Sequence, residues 1–309
     1  MKTMCKYLKL AMLIAMIGSG MVLNAQEAKL ARAQALYNEK KPEQAKLCID
    51  SVIAHPETKG RFEAWTMRSF IYFEIYKKTD RFKLNSTLRD TVVSSALTSN
   101  KLKADADFTS QNKKVLMAVA SNYHKIASIY LLDSANYDSS IKAYEKFKET
   151  SRLADASIDL RGKDTEYFLA VGSEYSQKFN MNKTNTKAFE IAKVSLLKVL
   201  EINPNDTSAN MNMGLMYLNQ ATDLVESLDA GDTPLEKLDV VLDNSVKLAK
   251  QAEQFLLKVY DQNNKNRKAV LALYYVYRVL SDDAKKAQFE NKCKELKIEV
   301  TDSAPKQQK

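Results

Sequence analysis

The groups in this 309-residue chain that could hold a metal or move a proton are two histidines, three cysteines and 38 carboxylates. Their spacing decides what they can do. His55 stands before Pro56, and His124 falls in a stretch with helical periodicity. Neither has a second histidine, a cysteine or a carboxylate at ligand spacing along its own segment, so neither reads as part of a zinc site. Asp105 and Asp107 could open a calcium loop. That loop would require glycine at 110 and glutamate at 116, and the chain has Ser110 and Leu116. No phosphate-cradling glycine loop, nucleophile elbow or H-E-x-x-H occurs. Asp282-Asp283 sits where a helix should begin, which suits carboxylates electrostatically without any chemistry. Catalytic, cofactor-binding and metal-binding residues are therefore not expected, and the sequence names no reaction.

The remaining information lies in the elements. Residues 1–25 have the layout of a secretory signal peptide: basic Lys2, Lys6 and Lys9, an apolar run Leu10 to Ile17, then small residues to Leu23-Asn24-Ala25. Cleavage is expected between Ala25 and Gln26, giving a periplasmic or secreted protein. The competing reading is a buried N-terminal helix. The apolar run is too short for a membrane span, and Cys5 lies before it, where lipid attachment is not expected. Removing 1–25 takes away three lysines and no acids, so the formal charge falls from +9 to +6. So mild an excess is not a nucleic-acid footprint. Short groups such as Lys77-Lys78 and Lys285-Lys286 read as solvated faces. Cys48 and Cys293 lie far apart in sequence and are expected as buried free thiols. With only seven glycines and five prolines and few alternating runs, the chain should be all-helical.

The periodicity has a longer unit. In Ala192–Tyr217, Ala192, Leu196 and Val199 share one helical face. Pro204 ends that helix, Asn205-Asp206-Thr207 can cap the next, and Met213-Gly214 with Tyr217 form the following face. Gly214 would let a partner helix approach closely. Related patterns recur. Ala33, Leu36, Ala45, Ile49 and Val52 form one; Trp65, Ser69 and Tyr72, with a partner helix inside 82–100, form another. Tyr123, Ala127, Tyr130, Ser140, Tyr144 and Phe147 follow, then Phe168, Gly172 and Tyr175, and last Val270, Tyr274 and Tyr277 with Ser281 capping a closing helix. This resembles the tetratricopeptide repeat, whose pattern is W-x2-L-G-x2-Y, then A-x3-F, then P. Arg32 and Arg68 stand where that pattern has leucine.

The resemblance implies an all-α fold, an α-solenoid of about six helix pairs over 26–300, with 301–309 as a disordered tail. One pair departs from the family spacing. Between Tyr217 and Ala252 the chain is much longer than the pattern requires. Thr233-Pro234-Leu235-Glu236 reads as a helix start. From Leu235 the residues Leu238, Leu242, Ser245, Ala249, Ala252, Leu256 and Val259 continue a heptad seam. Two long antiparallel helices, about 207–228 and 234–262, are expected to turn at 229–232 as a projecting hairpin and a second interaction surface.

The resemblance also implies protein–protein interaction, through a concave groove lined by the first helix of each pair. By position that groove contains Phe70, Phe73, His124, Ser128, Leu131, Met211, Leu215, Leu218, Tyr275 and Arg278, with small polar Ser173 and Ser176 between. The Lys/Asn arrangement with which some members clamp a C-terminal carboxylate is missing. The expected function is a non-enzymatic scaffold of the cell envelope that takes a peptide or partner helix. The alternative is a small-molecule or glycan binder of the periplasm, since some nutrient-binding proteins use similar helical repeats.

Overall fold

The computed structural model describes residues 25–103, 106–132, 136–228 and 234–301. Residues 1–24 of the signal segment, the turn expected at 229–232 and the tail from 302 onward lie outside the described residues. Every regular element among the described residues is a helix: α1 (25–38), α2 (Pro42–Ala54), α3 (Phe62–Thr79), α4 (Thr87–Leu102), α5 (Ala106–Leu132), α6 (Tyr137–Ala154), α7 (Arg161–Met181), α8 (Thr186–Ile202), α9 (Thr207–Glu226), α10 (Leu235–Gln262), α11 (Arg267–Val279) and α12 (Asp283–Glu295). The chain divides into two compact units, one to Ile158 and one from Asp159.

Within the first unit α3 pairs with α4 and α5 with α6, while α3 also packs on α2 and α5. Within the second, α7 pairs with α8, α9 with α10 and α11 with α12, and α9 touches both α7 and α11. First helices thus stack on first helices in each unit, as in a helical-repeat protein.

Short polar turns set this stacking. Asn182, Asn203 and Asn263 each accept, at side-chain Oδ1, the backbone N–H two residues on, at 3.0–3.1 Å. Three residues after each comes a cap: Asn185, Asp206 and Asn266 accept from Ala188, Ala209 and Ala269 N–H. The repeated Asn-x-x-(Asn/Asp) therefore closes one helix and opens the next. Asp282, not Ser281, caps α12, accepting from Lys285 N–H at 3.0 Å. Ser281 instead takes φ 54° at the end of α11, where the Asp282 N–H reaches back to Tyr277 O in a Schellman-type closure.

The expected seam of α8 is buried at Ala192, Leu196 and Val199; that of α10 is buried at Ser245, Ala249, Ala252, Leu256 and Val259, whereas Leu235 and Leu242 at its start are exposed and Leu238 is half-buried. A Cβ on Gly172 would lie 2.5 Å from Leu196 Cδ2, and one on Gly214 2.5 Å from Leu256 Cγ. Both glycines thus mark close helix approach. The long α9–α10 pair matches the expected elongated hairpin. Thr301 was expected in the loose tail, yet its carbonyl accepts from Tyr275 Oη at 2.7 Å and its N–H donates back to that hydroxyl.

Candidate partner-binding surface

In the first unit the exposed sides of α1, α3 and α5 form an open cleft of about 510 Å³. Its apolar floor is Leu30, Met67, Phe70 and Phe108, and its rim carries Gln34, Gln111, Glu27 and Arg61. Phe70 is half-buried, its ring 6.3 Å from that of Tyr37. Arg61 and Glu27 pair at 2.8 Å across the rim. Nearby, Phe62 and Phe108 meet edge to face at 5.0 Å.

A polar network fixes α3 behind this floor. Arg68 stands at the leucine position of the repeat. Its Nε donates to Asp50 Oδ1 and its Nη1 to Ser95 Oγ, both at 2.9 Å. Tyr72 Oη donates to the other Asp50 oxygen at 2.7 Å. One guanidinium thereby joins α2, α3 and α4. Burial raises the Asp50 carboxyl, but the hydrogen bonds from Arg68 and Tyr72 outweigh it and hold the group below its ordinary range. Further along, Arg89 of α4 is fully buried, its guanidinium 4.1 Å from the Tyr123 ring centroid and 5.0 Å from that of Tyr76. It also donates to the carbonyls of Lys83 and Leu84, so the cation is held by aromatic faces and backbone.

The sequence-derived surface residues divide three ways. Phe70 lines the cleft. Phe73 is half-buried, under Lys77 Nζ at 4.9 Å. Ser128 and Arg278 are exposed, and Met211 and Leu215 are half-buried on α9. His124 is half-buried against α6, edge-on to Phe147 at 5.0 Å, so its ring packs inside its own helix pair. Leu131, Leu218 and Tyr275 are buried, Tyr275 to 2% exposure. Their placement on a partner-facing surface is corrected, and Tyr275 is covered by the Thr301 segment. Ser176 is also buried, its hydroxyl donating to Gly172 O at 2.7 Å. Cys293 is buried as expected, whereas Cys48 is only half-buried, and neither is in a disulfide.

Sequence reading missed Phe108 and Gln111. The third pattern seemed to begin at Tyr123, but α5 starts at Ala106. The available signal was Val115, Val119, Asn122 and Ile126 at helical spacing, all buried in α5.

His55 closes α2 and accepts the Glu57 N–H at Nδ1, 3.3 Å away. No cluster of three metal-ligating side chains occurs among the described residues. No described helix is long and apolar enough to cross a membrane.

These features define an all-α helical-repeat protein. No family model and no curated protein matches the chain. A solved structure of PilW, titled a widely conserved type IV pilus biogenesis factor, is similar over 88% of this chain and 93% of its own, at 13% identity and a TM-score of 0.28. So loose a likeness carries no argument about partners.

Proposed function

We propose that this chain is a tetratricopeptide-type, non-enzymatic interaction scaffold of the cell envelope, which takes an extended or helical peptide along the α1/α3/α5 cleft. The observation that carries the reading is the cleft's composition: an open apolar floor of Leu30, Met67, Phe70 and Phe108 beneath the amides of Gln34 and Gln111. Apolar side chains of a peptide would seat on the floor, and the rim amides would meet its backbone groups. The signal-peptide layout of residues 1–25 supports the envelope location.

Site-specific photo-cross-linking tests it. A photoreactive residue at Gln34 or Gln111 in the expressed chain should trap a discrete adduct. The same residue at exposed Lys187 of α8 should not. Adding Phe70→Ala should remove most of the adduct while the circular-dichroism melt holds. Equal adducts from all positions, or an adduct insensitive to Phe70→Ala, would refute the cleft as the site.

A further inference from the structure

The hairpin α9–α10 carries a second surface of different chemistry. Its last buried crossing is Ser245, whose hydroxyl donates to Ala221 O at 2.9 Å. Beyond that layer the pair has no third helix to cover it among the described residues. Leu235 is 77% exposed, Val240 59%, Leu242 40% and Val225 39%. At 100° per residue, Leu235 and Leu242 continue the seam that Ala249, Ala252 and Leu256 bury lower down. Both are large aliphatics left in water on a helix whose other half is a packed core element.

Charge lies beside that seam on one side only. Glu236, Asp239 and Asp243 recur at three- and four-residue spacing, one position on from Leu235, Leu238 and Leu242. They form an acidic stripe along the flank of the apolar one. All three are exposed. Glu226 at the end of α9 is exposed too, and Lys237 is the single base in 234–246. Among the described residues none of these four carboxylates enters an ion pair. The excess is local, because the whole chain carries a formal +9.

An apolar seam flanked by charge is the arrangement through which helices choose coiled-coil partners: seam residues supply the buried area and flanking charges set identity. We propose that the exposed start of α10, with the facing end of α9, docks a partner helix with aliphatic residues at three- and four-residue spacing flanked by lysine or arginine, completing a three-helix bundle. The acidic stripe selects a cationic helix over an anionic one and disfavours an anionic lipid surface. This proposal rests on residues of the second unit and the proposed function on residues of the first, so either can fail without the other.

The test uses two synthetic peptides of three heptads with leucine at a and d. One has lysine at e and g, the other glutamate. Fluorescence anisotropy against the chain lacking residues 1–25 should show the lysine peptide binding at least tenfold more tightly. The variant Leu235→Lys/Leu242→Lys should lose that binding. The triple variant Glu236→Lys/Asp239→Lys/Asp243→Lys should reverse the preference, and its helical melt reports that it folds. The changed residues are exposed, so the fold does not depend on them. An unchanged preference in the triple variant overturns the proposal, because the peptide would then sit elsewhere. It is equally overturned if phosphatidylcholine–phosphatidylglycerol vesicles bind through Leu235 and Leu242 while neither peptide does. Dimerisation of the free chain through the same leucines also overturns it, since the occupant would be a second copy.

Discussion

Gly214→Ala sets two measurable effects against each other. Helix propensity alone makes the change favourable by about 1 kcal/mol, since glycine costs that much in a helix interior. The packing reverses the sign. The new Cβ would stand 2.5 Å from Leu256 Cγ and 2.7 Å from its Cδ2, with the Ala252 carbonyl oxygen at 3.4 Å. Leu256 is fully buried, so its side chain has nowhere to swing. Overpacking of this kind costs about 1–3 kcal/mol, and two heavy atoms inside 3 Å place this case toward the upper end. The net expectation is a loss of about 1–2 kcal/mol, or a Tm lower by about 2–4 °C per kcal/mol for a unit of this size. Gly162→Ala is the control. It lies in the first turn of α7 with nothing within 4 Å of its added Cβ, so it should gain about 0.5 kcal/mol. Leu256→Ala alone should cost about 2–5 kcal/mol. In the double variant the alanine methyl at 214 has room, so the double should be more stable than the sum of the singles by about 1 kcal/mol or more. Urea midpoints followed by circular dichroism measure all four. A stabilising Gly214→Ala, or an additive double variant, would refute the reasoning.

Three further outcomes follow from the structure. Asp50 is held below its ordinary value, so its contribution is fully present above the unfolded carboxylate range near about 3.9 and is lost as pH falls through the folded value; Asp50→Asn should lower the urea midpoint at pH 7 and converge with wild type in strong acid, and a constant difference would contradict this. Without reductant the denatured chain lacking residues 1–25 should show two free thiols, and in the native state Cys48 should react with a thiol reagent before Cys293, which is buried and whose thiol burial pushes up; equal rates would contradict the burial. Ser281→Gly, at φ 54°, should raise the urea midpoint by relieving about 1 kcal/mol of left-handed strain, and a lowered midpoint would count against that reading.

What was legible in the sequence was local. Asn203-Pro204-Asn205-Asp206 shows where one helix stops and the next starts, because capping and the missing proline N–H act within a few residues. Gly214 announces a close approach because it recurs at the same repeat position as Gly172. Tyr275 was misplaced for a complementary reason. Tyr274, Tyr275 and Tyr277 look alike in sequence, and what covers Tyr275 is Thr301, a contact 26 residues away. Arg68 was visible as a departure from the repeat pattern, but its acceptors Asp50 and Ser95 come from two other helices. Phe108 was missed because the repeat pattern marks only the second half of α5.

The seam of α10 shows why periodicity under-determines a binding surface. Leu235, Leu242, Ala249 and Leu256 obey one rule of spacing, and a periodicity analysis cannot separate them. In the folded unit Ala249 and Leu256 are fully buried while Leu235 and Leu242 face solvent. The difference lies in the neighbours: α9 and α11 pack on α10, yet the seam is sealed only as far as the Ser245–Ala221 layer. Spacing reports which face of a helix is fit for burial; the other elements determine whether anything is there to bury it. An aliphatic seam that outruns its partners keeps the transfer free energy its core half has already realised, roughly 25 cal/mol for each Å² still exposed. That exposed apolar area, beside an acidic stripe, is what the proposed cationic helix would cover.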